Sequence, residues 1–247
     1  MNEILTRVDD GVLEMLFNRP EKKNAINAAM YERMAEILVD ARKNPDVAVV
    51  LITGKGASFT AGNDLVDFMQ NPPLDDESSV FRFLQTMADF PKPVVAAVKG
   101  HAVGIGTTLL LHCDIVICGE SASFQMPFVN LGLVPEFASS YLLPLRVGHS
   151  KAAEWLMTGK VFDAFEAKAA GLINEVLKDE QYFSAARQKA HTLAKQPRES
   201  LQITKRLLKQ PYMAKTLQTI EEEGDLFRKR LQSKECQQAL QRFFARG

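Results

Sequence analysis

The sequence predicts an α/β fold of repeated ββα units followed by a helical C-terminal region, on three observations. A strand, a glycine-bearing loop and a helix follow one another twice, around Gly62 and around Gly104, and such units build mixed layers rather than separate bundles and sandwiches. Residues 47–53 are a continuous apolar run of strand length, as in strands of a parallel or spiral sheet covered on both faces. From Asp179 the pattern is helical almost to the end, with breaks expected at Pro197, Pro211 and Ser233. The change near residue 190 separates an expected core, residues 1–190, from a helical region, residues 191–247.

Each element has its own signal. Residues 4–8 and 12–17 flank Asp9-Asp10-Gly11, a hairpin turn sequence. In residues 28–41 the apolar positions Met30, Met34, Ile37, Leu38 and Ala41 form one helical stripe, with Asn27 as N-cap. A helix is expected over residues 65–69, a mobile loop over 71–76 and a helix over 79–90. Residues 92–98 read as a buried strand leading to the Gly104 turn and a helix opening at Ile105, and residues 114–118 as a short strand. Helices follow at 138–145, at 150–158 with Ser150 as cap, and at 164–170 with Gly171 as stop; residues 172–177 read as a strand.

Composition narrows the function classes. At 247 residues, 46% of them hydrophobic, the chain can bury a sizeable core. Thirty basic and thirty acidic residues cancel, leaving no electrostatic footprint for nucleic acid or an anionic membrane. Cys113, Cys118 and Cys236 form no CxxC pair, which suits buried thiols in a reducing compartment and neither a disulfide framework nor a zinc site. No stretch approaches the ~20 apolar residues of a membrane span. With no leader-like start and no Ser-Lys-Leu-type ending, cytoplasm is the expected location.

The chemistry concentrates in the two glycine loops and one acid. Backbone N–H groups at Asn63, in Ala61-Gly62-Asn63-Asp64, and at Ile105, in Gly104-Ile105-Gly106, are candidates for a two-part oxyanion hole. Each loop also reads as a tight turn or a close backbone contact. Leu109 stands where a dinucleotide fingerprint needs its third glycine, and there is no phosphate-loop motif, so NAD and ATP are not expected. Glu136, among Leu133, Val134 and Phe137, with Phe128 nearby, is either a desolvated base or a helix-start carboxylate. Asp64 and Asp114 are expected to be structural, Asp64 as the cap of the following helix. His101 and His112 are expected in the core, and no His/Cys/Asp cluster suggests a metal. Leu240, Phe243 and Phe244 belong either to the chain's own core or to a subunit interface.

Residues 14–27, Phe59-Thr60-Ala61-Gly62-Asn63-Asp64-Leu65, residues 92–106 and the stretch from Cys113-Asp114 through Pro135 together resemble the crotonase superfamily, the enoyl-CoA hydratases and isomerases, over nearly the whole chain. The resemblance implies a crotonase-like spiral of ββα units, a helical C-terminal trimerisation region giving a homotrimer or dimer of trimers, and an acyl-CoA thioester whose enolate is held by two backbone N–H groups. It implies no separate cofactor, since CoA belongs to the substrate. It places Ala25 and Thr60 through Asp64 around CoA, with Gly104, Phe128 and Asn130 also at the substrate and Lys22 or Lys23 near phosphate. Asn130 is equally readable as orienting Glu136, touching the thioester or capping a turn.

Where hydratases of the family carry two glutamates, this sequence has Thr108 and Phe128. Neither is a carboxylate base. Glu136 instead is similar in context to the single glutamate of peroxisomal-type Δ3,Δ2-enoyl-CoA isomerases, which implies a double-bond shift in fatty acid β-oxidation. Another reaction of the superfamily, such as hydration or thioester hydrolysis, and a non-catalytic acyl-CoA-binding subunit stand as the alternatives.

Overall fold

A computed structural model of the chain describes residues 2–73, 75 and 78–245. The loop expected over 71–76 falls partly outside the described residues. In chain order the elements are β1 (Ile4–Asp9), β2 (Val12–Phe17), α1 (Ala28–Lys43), β3 (Val49–Gly54), α2 (Leu65–Gln70), α3 (Ser79–Ala88), β4 (Val94–Val98), β5 (His101–Val103) and α4 (Ile105–Thr108). They continue with β6 (Ile115–Gly119), β7 (Ser123–Gln125), α5 (Ser139–Val147), α6 (His149–Thr158), β8 (Phe162–Asp163), α7 (Ala164–Ala169), β9 (Glu175–Leu177), α8 (Tyr182–Ala194), α9 (Arg198–Leu231) and α10 (Lys234–Phe244).

Six strands form one sheet in the order β1-β2-β3-β4-β6-β9, parallel from β2 onward, while β5, β7 and β8 form a second. The apolar run in β3 is explained by helices on both faces. Val50 and Ile52 belong to the core beneath α1 and α3, whereas Val49 and Leu51 pack with Tyr182, Ala186 and Ala190 of α8. Strand side chains alternate with period two, and each buried aliphatic group is worth roughly 1.5–3 kcal/mol. A run without polar positions is therefore what a doubly covered strand requires.

Several boundaries differ from the sequence expectation for identifiable reasons. Residue 190 lies inside α8 and is buried against the sheet, and the chain leaves that sheet only at residues 195–197. Pro211 does not break α9, which runs unbroken for 34 residues; a proline removes one helical N–H, and Leu207 and Leu208 show that this turn is exposed. Helix α6 starts at His149 with Gly148 as N-cap, so Ser150 is not its cap. Ser233 both separates α9 from α10 and caps the latter, its Oγ accepting from the Cys236 N–H at 3.2 Å. His101 is exposed on β5, not in the core, with Nδ1 3.1 Å from Ser123 Oγ. Among the described residues no helix is long and apolar enough to cross a membrane.

One buried cation ties α1 to the sheet. Lys92 Nζ donates to the carbonyls of Ala41, Asn44 and Val47 at 2.5, 2.8 and 2.8 Å. Lys92→Met keeps the stem but leaves those carbonyls without their donor. It is expected to lower stability by about 3 kcal/mol, seen as a lower denaturant midpoint at unchanged slope. An unchanged midpoint would show that water replaces the ammonium without cost.

Candidate active site

The two glycine loops meet face to face. After β3 the chain runs beside β5, with Thr60 N–H donating to the His101 carbonyl at 2.9 Å and Val103 N–H to the Thr60 carbonyl at 3.1 Å. A Cβ at Gly62, whose φ is +87°, would stand 2.7 Å from the Val103 carbonyl oxygen, and one at Gly106 would stand 2.5 Å from the Thr60 methyl. Only a residue without a side chain permits this approach. It brings Asn63 and Ile105 to the wall of one cavity of about 900 Å³.

The amides around these two are occupied. Gly62 N–H donates to Thr60 Oγ1, Asp64 N–H to the Ile26 carbonyl, Gly104 N–H to the Gln125 carbonyl and Thr107 N–H to the Gly104 carbonyl. Among the described residues no acceptor is found for the N–H of Asn63 or of Ile105. Helix α4 has only four residues before a 3-10 turn over Leu109–His112. What this loop offers is therefore the Ile105 N–H itself, with little help from a helix dipole.

Ala25, Ala61, Gly62, Asp64, Gly104, Phe128 and Asn130 also line the cavity. Thr60 does not: it is fully buried, its hydroxyl donating to the Asn24 carbonyl at 2.7 Å and accepting from Gly62 N–H at 3.0 Å, so it shapes the loop from inside. Asp64 N-caps α2 and pairs with Arg19 at 2.9 Å. Burial raises its pKa, but the Arg19 hydrogen bond and the amides of Asp67 and Val66 outweigh this and leave it below the ordinary value. Asn130 lies in a 3-10 turn, its Nδ2 donating to the Thr158 carbonyl at 3.2 Å. Leu240 is buried, Phe243 and Phe244 are exposed, and all three border the cavity from α10.

Glu136 occupies a separate position. It is 7% exposed and its Oε1 has no hydrogen-bond partner among the described residues. It does not border the large cavity but a small apolar pocket with Phe81, Leu84, Phe137 and Ile220. Phe68 and Phe227 line both spaces, their rings edge-to-face with centroids 5.9 Å apart, and so form the shared wall. Leu133 and Phe128, expected to desolvate the acid, face the large cavity instead. Burial and the nearby Glu223 push the Glu136 carboxyl up to about 8.

Glu136 is not the start cap of α5. That helix begins at Ser139 after Phe137 and Ala138, both left-handed with φ of 61° and 55°, and the Ser140 N–H is taken at 2.8 Å by Oε1 of Glu223 from α9. On the other side the Phe137 ring stacks on His112 at 3.8 Å, and His112 Nε2 donates to the Phe137 carbonyl at 2.8 Å. Burial holds the His112 pKa well below its ordinary value, with Lys209 adding to the effect, so the ring is neutral.

Sequence reasoning missed Tyr31, Glu223, Arg19, Phe68 and Phe227. Tyr31 is buried on α1 and donates from its hydroxyl to Asn63 Oδ1 at 2.5 Å. Burial, then the charge of Glu136, raises its pKa well above the ordinary value, so it stays a donor. A signal existed for two of these. Tyr31 extends the stripe of Met34 and Leu38, and Glu223 falls on the stripe of Thr216, Ile220 and Phe227; a polar group on a buried helix face needs a partner elsewhere. Thr108 is fully buried with its hydroxyl unpartnered among the described residues, and only Phe128 of that pair reaches the cavity.

Comparison with known proteins shows the family. The enoyl-CoA hydratase/isomerase family pattern matches residues 7–247. The chain is 39% identical over 249 residues to the enoyl-CoA delta isomerase 2 of Rattus norvegicus, with 98% of this chain aligned, and 37% identical to that of Homo sapiens, with 96% aligned. It spans 63% and 62% of those two proteins' lengths. Among solved structures it resembles OdaA of Pseudomonas aeruginosa, with a TM-score of 0.96 and 48% identity, covering 98% of this chain and 99% of that one.

Proposed function

The chain belongs to the enoyl-CoA hydratase/isomerase family and has its crotonase fold, and from that premise we propose that it is an acyl-CoA double-bond isomerase converting 3-enoyl-CoA into 2-enoyl-CoA. Glu136 as carboxylate removes a proton from C2 of the thioester. The electron pair moves onto the thioester oxygen, which the N–H groups of Asn63 and Ile105 hold as an enolate. The pair then returns through C2 and C3, and Glu136 delivers the same proton to C4. The double bond has moved from C3–C4 to C2–C3, and no water has been used.

The observation that carries this reading is Glu136 itself, a buried carboxyl with an unpartnered oxygen in an apolar pocket one ring pair away from the cavity that holds both amides. A lone base of raised pKa suits proton transfer at carbon. A hydratase must also hold a water, and at the two positions that carry its glutamates this chain offers the ring of Phe128 and a fully buried Thr108. For C2 to meet Glu136, Phe68 and Phe227 must part when the acyl chain enters. The exposed Ile203, Leu207 and Leu208 of α9 offer a face for the trimer we assign to the chain.

The test is incubation with 3-enoyl-CoA and 2-enoyl-CoA of several lengths, separating isomer from 3-hydroxyacyl-CoA. The expected result is isomer in excess. Since the base must be ionised and its carboxyl sits at about 8, kcat/KM should climb with pH to a plateau above that value. Dominant hydration would overturn the assignment, and an acid limb near the ordinary glutamate value would overturn the role of a desolvated Glu136.

A further inference from the structure

Among the described residues, Glu223 is a buried acid near the site that this reaction leaves unused. It is 6% exposed, 83 residues beyond the Ser140 amide it accepts from, and its Oε2 has no partner among the described residues. Burial, the largest effect, raises the Glu223 pKa above its ordinary value, and the Ser140 hydrogen bond with the nearby amides of Ala138 and Ser139 opposes that rise. These amides belong to the turn that follows Glu136 directly, a turn containing two consecutive non-glycine residues at positive φ. Left-handed backbone at Phe137 and Ala138 is costly without an external hold. The Glu223 carboxyl, accepting from the Ser140 N–H at 2.8 Å at the end of this turn, supplies one, while the Ser139 N–H donates to the Glu136 carbonyl at 3.1 Å.

We propose that Glu223 is a positioning residue for Glu136: it holds the left-handed turn that carries the base and places a second negative charge beside it. The proposal rests on Glu136 being the base. Gly224, the next residue, has no room for a side chain, since a Cβ there would meet the Phe81 ring at 2.3 Å. That close contact of α9 with α3 fixes the height at which Glu223 enters the turn. Burial comes first and Glu223 second among the causes that raise Glu136, and two nearby carboxylates resist ionising together.

The other titratable groups packed around the pair have partners of their own. Tyr31 of α1 is a neutral donor committed to Asn63, and His112 is neutral and committed to the Phe137 carbonyl. On α9, Arg228 pairs with Asp225 at 2.5 Å and lies over the Phe81 ring at 4.7 Å. Once ionised, Glu223 acts on Glu136 in a dry setting, where Coulomb effects are strong.

Glu223→Gln keeps an oxygen acceptor for Ser140 and removes the charge. The acid limb of kcat/KM for a 3-enoyl-CoA is expected to move down by about one pH unit, which a purely structural residue would not do. A limb that stays in place overturns the proposal. Should the variant not fold, carbon-13 NMR of glutamate carboxyls in the unmodified protein decides: Glu223 ionising before Glu136 supports the proposal, and Glu223 still protonated when Glu136 ionises overturns it. The same NMR titration judges the coupling if Glu136→Gln retains isomerisation, an outcome that removes Glu136 as base without touching the measured order of ionisation.

Discussion

Glu136→Gln is expected to lower isomerisation of a 3-enoyl-CoA by about 100-fold to 10,000-fold, the range typical of a lost acid–base group, with the fold intact. Gln keeps the shape and cannot carry the proton from C2 to C4. The loss should fall on kcat, because the cavity wall that binds substrate is formed by other residues. Relative to the parent, the variant should also gain stability as pH rises. In the folded chain the Glu136 carboxyl titrates at about 8 against an ordinary value of 4.5. Between those values the unfolded chain has released the proton and the folded chain still holds it, so the parent loses stability across this window. Thermal melts at pH 5 and pH 8 should show the advantage of Gln only at the higher pH. Wild-type turnover by the variant would remove Glu136 from the mechanism.

The second large effect is expected at Gly62→Ala. Its φ of +87° strains any side chain, and the added Cβ would press the Val103 carbonyl, 2.7 Å away, next to the Gly104-Ile105 peptide. One methyl group thus disturbs both candidate donors, on Asn63 and on Ile105. A fall in kcat of about 100-fold to 1,000-fold is expected, as for loss of an oxyanion donor. Backbone strain should cost about 1–3 kcal/mol of stability. A folded variant with unaltered kcat would mean that the two amides do not hold the reacting oxygen.

The contrast between these two residues and Glu223 shows what was legible. Gly62 and Glu136 stand out locally, one as a turn glycine and the other as an acid in an apolar run. Glu223 looks like one more charge in Glu221-Glu222-Glu223, and only its helical phase with Thr216, Ile220 and Phe227 marks it as inward-facing. Tyr31 is similar: its stripe places it in the core, but nothing local identifies Asn63, 32 residues away, as its acceptor. Thr60 illustrates the opposite error. The family resemblance implies a place for Thr60 in the substrate-binding segment, yet the bend that exposes Asn63 turns the Thr60 side chain inward.

By itself the sequence determined the α/β units, the doubly covered strands, the two glycine loops and an acid in apolar company at Glu136. These depend on properties written within a few residues: periodicity, the steric freedom of glycine and the chemistry of one side chain. The tertiary structure alone decided that the two loops share one cavity, that Phe68 and Phe227 stand between it and Glu136, and that Glu223 reaches the turn after Glu136. Those relations join segments tens to more than eighty residues apart. Packing brings them together, and no local pattern records the distance.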